Sequence, residues 1–200
     1  MQNYIWDFDG MLVDSYPHIT SAFLKMLGEF GKEADYDEAK ALLEITYATA
    51  YEHYGVTDEM KEVFHKYERT YGLRPIALPF ENTYKTLEAL FNSGKKHFLY
   101  THRGRESSQH YLQKHGLAKF FTAFVDSSMK FPSKPSPDAV NWICETYGLD
   151  KNETVMIGDR EIDVLSGKNA GTYGCLFTRK DNPETAADFV ITDISEVLDI

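Results

Sequence analysis

The feature that most constrains this fold is a regular alternation of short apolar runs and helical segments in its second half. Five runs of strand type, at 97–101, 123–126, 154–157, 174–177 and 189–191, alternate with helical spacing at 82–92, 105–115, 137–147 and 160–170. Short buried strands separated by helices are typical of a parallel sheet covered on both faces. The sequence therefore predicts an α/β fold, a Rossmann-like parallel sheet with helices on both faces, and the apolar run 4–6 belongs to the same sheet.

An all-helical block interrupts this pattern directly after the first strand. Apolar residues follow at helical spacing over 17–30, 37 to about 55, and 58 to about 71, with Gly31 and Gly72 as helix ends. Pro75 and Pro79 stand at its exit, as in a linker. We predict an α/β core domain of residues 1–15 and 80–200, with an inserted helical domain of residues 16–79.

Composition excludes several classes of protein. Of the 200 residues, 42% are hydrophobic and 26% charged, which indicates a globular chain rather than a disordered one. A net charge of −10 disfavours nonspecific binding to nucleic acids or anionic membranes. Cys144 and Cys175 form neither a metal-ligand cluster nor a disulfide framework, and residues 1–20 do not resemble a signal peptide. We expect a cytoplasmic protein that binds neither nucleic acid nor membrane.

Two carboxylates stand at the end of the first strand, one position apart. Asp7 and Asp9 follow the apolar run, and Gly10 marks the point where the backbone turns. Because alternate residues of a strand share a side, both carboxylates are expected to project together. Carboxylates held so close repel each other unless one is protonated or a cation lies between them. A hard divalent cation, Mg²⁺ above all, is the expected solution.

Further polar residues follow the other strands. Ligands of open α/β sheets bind beyond the carboxyl ends of the strands, so these residues are expected to meet the aspartate pair. They are one hydroxyl, one lysine, two further carboxylates and two basic neighbours, namely Thr101, Lys134, Asp159, Asp163, His102 and Arg103. Asp163 follows Asp159 by one helical turn, so the two carboxylates can share a face. This set of residues predicts a site for phosphate and magnesium.

These strand-end residues form four sequence elements along the chain: the aspartate pair, the threonine, the lysine, and the pair Asp159 and Asp163. In this order and at these strand ends, the four elements resemble those of the haloacid dehalogenase superfamily of phosphatases. The helical insertion after the first element is similar to the cap of the phosphoglycolate-phosphatase-like branch, so the resemblance covers essentially the whole chain. It implies a phosphoric monoester hydrolase that uses Mg²⁺ as its cofactor and acts on a small phosphorylated metabolite as a monomer or homodimer.

The resemblance also implies a role for each residue. Asp7 would be the nucleophile that forms an aspartyl-phosphate, and Asp9 the general acid and base. Thr101 would bind the transferring phosphoryl group, with Gly10 and His102 lining the phosphate site. Lys134, rather than the neighbouring Lys130, would offset the charge on Asp7 and on the phosphoryl oxygens. The metal ligands would be Asp7, Asp9 through its backbone carbonyl, Asp159 and Asp163.

Two other functions remain open at this stage, and Asp9 argues against a third. A dehalogenase proper would use an aspartate nucleophile without magnesium and would lack Asp9. A phosphomutase of the β-phosphoglucomutase type shares all four elements, and a noncatalytic metabolite sensor or partner-binding protein could use the same fold.

Met11 departs from the resemblance, since the family usually has threonine or sometimes valine there. Phosphoglycolate, small sugar phosphates and nucleoside monophosphates are the expected substrates.

Overall fold

The computed structural model describes residues 1–68 and 77–200. Its strands and helices follow one another along the chain as β1 (Asn3–Trp6), β2 (Val13–Asp14), α1 (Tyr16–Glu29), α2 (Tyr36–Ile45), α3 (Tyr47–Tyr54), α4 (Asp58–Glu68), β3 (Leu78–Pro79), α5 (Thr83–Asn92), β4 (Lys96–Tyr100), α6 (Arg105–Lys114), β5 (Phe121–Val125), α7 (Asp138–Tyr147), β6 (Thr154–Gly158), α8 (Glu161–Ala170), β7 (Tyr173–Phe177) and β8 (Phe189–Ile191). Short 3₁₀ helices complete the order, at Ala118–Phe120, Ser127–Met129, Lys151–Glu153 and Ile194–Asp199.

Contacts divide the chain into two compact units, Met1–Val13 with Pro79–Ile200, and Asp14–Leu78. The first unit is the α/β unit, built on a six-stranded sheet in the order β5-β4-β1-β6-β7-β8. Every adjacent pair in this sheet is parallel, which confirms the predicted fold class. Strand β1 lies in the middle, between β4 and β6, and all four of its residues are buried. Its carboxyl end is therefore flanked by the carboxyl ends of both neighbours.

The second unit is helical and has a core of its own. Helices α1 to α4 enclose an apolar cluster in which Phe23 and Phe64 are fully buried, with ring centroids 5.3 Å apart in an edge-to-face arrangement. The tyrosines of α3, Tyr47, Tyr51 and Tyr54, pack against this cluster. Along the described ranges 1–68 and 77–200, no helix is long and apolar enough to cross a membrane.

The observed elements differ from the predicted ones in a few places. The single helix expected over 37 to about 55 is two helices, because Thr46 is extended and its hydroxyl accepts a hydrogen bond from the backbone N–H of Thr49, capping α3. Asp35 caps α2 by accepting hydrogen bonds from two backbone N–H groups, so the helix begins at Tyr36 rather than at residue 37. The predicted helix end at Gly72 and the proline at 75 lie outside the described residues.

Candidate active site

The loop after β1 places Asp7 at the centre of the site. Its backbone N–H donates to the carbonyl of Ile157 on the neighbouring strand at 2.8 Å, which extends the sheet pairing by one residue. Gly10 then turns the chain with a positive φ of 78°, a conformation that a side chain disfavours. Met11, which departs from the family pattern, is fully buried, so apolar packing holds the loop at this position. Asp7 is only 2% exposed.

Lys134 bridges two buried carboxylates. Its Nζ lies 2.5 Å from Asp7 Oδ1 and 2.7 Å from Asp163 Oδ1, and it also donates to the carbonyl of Tyr100 at 3.0 Å. The side chains of Lys134 and Asp163 are fully buried. The predicted lysine is thus the one that the structure brings to Asp7, at the start of a segment that continues through a cis peptide bond to Pro135.

Three carboxylates converge at this point. One oxygen each from Asp7, Asp159 and Asp163 lies within 4.8 Å of the others. Asp163 occupies the first turn of α8, where Oδ2 accepts a hydrogen bond from the backbone N–H of Arg160 at 3.1 Å. Gly158 permits this placement, since a Cβ there would lie 2.3 Å from the Cβ of Asp163. The strand end of β6 and the start of α8 therefore bring both predicted acids to Asp7.

The electrostatic balance within this cluster differs from group to group. Desolvation raises the pKa of Asp7 to about 6, although Lys134 acts in the opposite direction. Desolvation alone would lower the pKa of Lys134, but the carboxylates of Asp163 and Asp7 outweigh it and raise that pKa. The charge of Lys134, with that of Arg160, overcomes burial and lowers the pKa of Asp163. The cluster thus raises the pKa of Lys134 and Asp7 and lowers that of Asp163, which favours a charged lysine between the two acids.

The turn after β4 contributes three consecutive residues, each with a different contact. Thr101 is 2% exposed, and its hydroxyl oxygen accepts a hydrogen bond from the backbone N–H of Arg103 at 3.0 Å. His102 Nε2 accepts from the backbone N–H of Lys134 at 3.2 Å. Desolvation, aided by the charges of Lys134 and Arg160, lowers the pKa of His102 to about 4, so the ring is neutral at pH 7 even though the residue keeps solvent exposure.

Asp9 does not join the carboxylate cluster. Its side chain forms a two-pronged ion pair with Arg103, whose Nη2 lies 2.5 Å from Oδ1 and whose Nε lies 3.1 Å from Oδ2. The expectation that Asp7 and Asp9 project together came from strand periodicity, but β1 ends at Trp6 and Asp9 lies in the turn beyond it. The side chain of Arg103 is a functional candidate that the sequence analysis left without a role. The sequence signal that could have identified it is a basic residue two positions after a threonine at a strand end.

Comparison with known proteins identifies the family of this chain. A family model described as haloacid dehalogenase-like hydrolase matches residues 4–176, most of both units. The chain belongs to this family. This confirms the resemblance read from the strand-end motifs and the predicted enzyme class, a hydrolase of the phosphatase type.

Individual relatives span nearly the whole chain. The phosphoglycolate phosphatase of Aquifex aeolicus is 30% identical over 187 residues, which cover 88% of this chain and 84% of that protein. Pyrophosphatase PpaX of Halalkalibacterium halodurans is 26% identical over an alignment of 212 positions that covers 98% and 94%. The crystal structure of a hydrolase from Streptococcus pneumoniae TIGR4 superimposes with a TM-score of 0.68 and 30% identity, covering 100% of this chain and 98% of that one.

Proposed function

We propose that this chain is a Mg²⁺-dependent phosphatase that hydrolyses a small phosphorylated metabolite through an aspartyl-phosphate on Asp7. The observation that carries the proposal is the environment of the Asp7 carboxylate. Its Oδ1 faces Lys134 at 2.5 Å, whereas its buried Oδ2 has no hydrogen-bond partner among the residues that the structure describes. A buried carboxylate with one oxygen fixed and the other unengaged suits an oriented nucleophile.

The donor set at the site fits magnesium. Asp7, Asp159 and Asp163 offer only carboxylate oxygens, the ligands that this hard cation prefers, and they converge within 4.8 Å. We propose these three as its side-chain ligands, with the backbone carbonyl of Asp9 as the fourth group. When bound, the metal would neutralise charge on the phosphoryl oxygens and on Asp7.

The chain's own residues would carry both chemical steps. An oxygen of Asp7 attacks phosphorus while the bond to the leaving oxygen breaks, and Asp9 supplies the proton that this oxygen takes up. A water molecule then attacks the aspartyl-phosphate, Asp9 accepts its proton, and phosphate and free Asp7 are released. Lys134 holds positive charge beside the phosphoryl group throughout.

The turn after β4 is proposed to receive the phosphate. Thr101 uses its oxygen as an acceptor for the backbone, which leaves the hydroxyl hydrogen to donate to a phosphoryl oxygen. Backbone groups of Gly10 and His102 are proposed to line the same position. His102 would act indirectly as well, since its neutral ring accepts from the backbone of Lys134.

The substrate class and the domain roles belong to the same proposal. Relatives are named for phosphoglycolate and pyrophosphate. Phosphoglycolate and the small sugar phosphates expected from the sequence head the set of compounds to test. The helical unit, inserted after β1, is proposed as the cap that selects among leaving groups, with the core and cap bounded as predicted from the sequence.

The decisive experiment measures phosphate release from a panel of phosphorylated metabolites with and without Mg²⁺. We expect magnesium-dependent turnover by the wild type and a loss of at least about a thousandfold in Asp7→Asn, because an amide oxygen is a far weaker nucleophile. Asp58→Asn serves as the matched control, since Asp58 is an exposed acid of the helical unit. Its turnover should equal that of the wild type.

Other outcomes would favour the alternatives. Turnover that depends on neither Mg²⁺ nor Asp7 would contradict the proposal and indicate a contaminating enzyme. Tight binding of a metabolite without phosphate release would point to a sensor. Isomerisation of a sugar phosphate that requires a bisphosphate would identify a phosphomutase.

A further inference from the structure

The ion pair between Arg103 and Asp9 is built from more than its two charges. Besides the two contacts to Asp9, Nη1 of Arg103 donates to the hydroxyl of Ser107 at 2.8 Å. The guanidinium carbon lies 5.3 Å from the ring centroid of Phe8 and 5.7 Å from that of Tyr111. The side chain is 8% exposed. One hydrogen bond and two cation–π contacts thus fix the plane and position of the guanidinium independently of Asp9.

This geometry acts on the carboxylate rather than on the substrate. Because the planar guanidinium engages both oxygens of Asp9, it favours one orientation of a side chain that is 20% exposed. It also holds that side chain outside the cluster of Asp7, Asp159 and Asp163. A cationic Lys134 and any bound metal would draw a mobile carboxylate into that cluster.

We propose that Arg103 is the positioning residue of Asp9, holding its carboxyl group in the one orientation from which an oxygen lone pair not used by Arg103 exchanges a proton with the reacting oxygens. The inference rests on the proposed function, since it assumes that Asp9 is the general acid and base. Arg103 itself need not touch the substrate. Its effect on turnover is therefore expected to pass entirely through Asp9.

A double-mutant cycle tests this dependence. With p-nitrophenyl phosphate as the probe, Arg103→Met is expected to lower kcat by about 10- to 100-fold, because a displaced catalytic group loses its alignment, while KM changes less than about threefold. Methionine keeps an apolar stem against Phe8 and Tyr111. Arg103→Lys should recover part of kcat, since lysine restores the charge but not the two-pronged contact.

The double variant decides between positioning and mere packing. In an Asp9→Asn background, Arg103→Met should lower kcat by less than about threefold, because the group that it positions is already disabled. Arg105→Met is the matched control, since Arg105 lies two residues away, has a side chain that is 54% exposed and is ion-paired at 2.9 Å to Asp126 rather than to Asp9. It should leave kcat and KM unchanged.

Each result bears on the proposal. If the kcat losses of the two single variants multiply in the double variant, Arg103 does not act through Asp9. That result, or an unchanged kcat in Arg103→Met, would overturn the positioning role while leaving the phosphatase function intact. A wild type whose turnover does not depend on Asp9 would overturn the proposed role of Asp9 and the positioning role with it. If Arg103→Met fails to fold, Arg103→Lys and its double variant with Asp9→Asn complete the same cycle.

Discussion

At the scale of single residues, the site is a set of acidic side chains that are in contact with two basic side chains. Lys134 separates Asp7 from Asp163, and Arg103 takes both oxygens of Asp9. Buried carboxylates that face each other without such partners would be protonated or would destabilise the fold. The two basic side chains therefore allow acids to converge at the end of β1 while keeping Asp9 apart from the rest.

A buried histidine beneath the site gives the protein a pH-dependent stability. His97 is fully buried, and its Nδ1 accepts a hydrogen bond from the indole N–H of Trp6 at 3.0 Å. Burial lowers the pKa of His97 to about 4, from an unfolded value of 6.5. The unfolded chain therefore binds this proton first as the pH falls, so the stabilisation present above pH 6.5 is lost progressively down to about pH 4.

We expect this single group to remove about 3 kcal/mol from the free energy of unfolding between pH 6.5 and pH 4. Urea unfolding of the wild type and of His97→Phe across this range measures it. Phenylalanine cannot titrate, so the variant should lose less stability on acidification, whatever its stability at pH 7. Parallel pH profiles for the two proteins would show that His97 does not carry the effect.

The identity of the site residues was largely readable from the sequence, but their pairings were not. Asp7, Lys134, Asp159 and Asp163 each follow a strand, and parallel strands bring such positions to one edge of the sheet. The orientation of Asp9 depends on a turn outside β1, where the period-two argument no longer applies. The side chain of Asp9 is also fixed by Arg103, 94 positions away along the chain, and local patterns do not encode such a contact.

At the scale of elements, the position of α8 determines that of Asp163, since this acid lies in the first turn of the helix. Gly167 lets α8 approach the sheet closely. A Cβ at this position would lie 2.6 Å from the Cβ of Met156 and 3.0 Å from the carbonyl oxygen of Tyr173. The first distance is shorter than real Cβ contacts show, and the second is a tight contact with backbone, so the helix itself would have to move.

Gly167→Ala is therefore expected to lower the free energy of unfolding by about 2 kcal/mol and to reduce turnover by displacing Asp163. Gly28→Ala is the matched control in another helix, α1, where a Cβ would meet nothing within 4 Å. There the substitution should stabilise the protein by up to about 1 kcal/mol. Thermal unfolding compares the two, and a stable, fully active Gly167→Ala would contradict the close-approach argument.

Most elements of the α/β unit could be predicted because each carries a strong local pattern. The strand predicted at 189–191 agrees with β8, and α7 and α8 end at Tyr147 and Ala170, as the predicted helical ranges do. The break between α2 and α3 could not be predicted, because apolar spacing continues across Thr46 and only the cap at its hydroxyl separates the two helices. Periodicity identifies a helical face better than it identifies a helix end.

At the scale of the whole molecule, the chain combines an acidic surface with a concentrated acidic cluster. The net charge of −10 attracts any cation weakly, whereas the convergence of Asp7, Asp159 and Asp163 would hold one specifically. A ligand that binds only the folded chain stabilises it according to its concentration relative to its Kd. Thermal unfolding can therefore detect the proposed magnesium site without any assay of turnover.

We expect Mg²⁺ at about 100 times its Kd to stabilise the wild type by about 2.7 kcal/mol, and to raise its Tm by roughly 5–10 °C. Asp159→Asn should lose most of this shift, because it removes a ligand while leaving the Lys134 contacts of Asp7 and Asp163 in place. Asp58→Asn removes the same formal charge from an exposed position of α4 and should keep the full shift. Scans in NaCl at matched ionic strength separate specific binding from screening, since sodium should not raise the Tm of the wild type or of either variant to a comparable extent. Equal shifts in the two variants would mean that magnesium acts on the net charge and that the three carboxylates do not form its site.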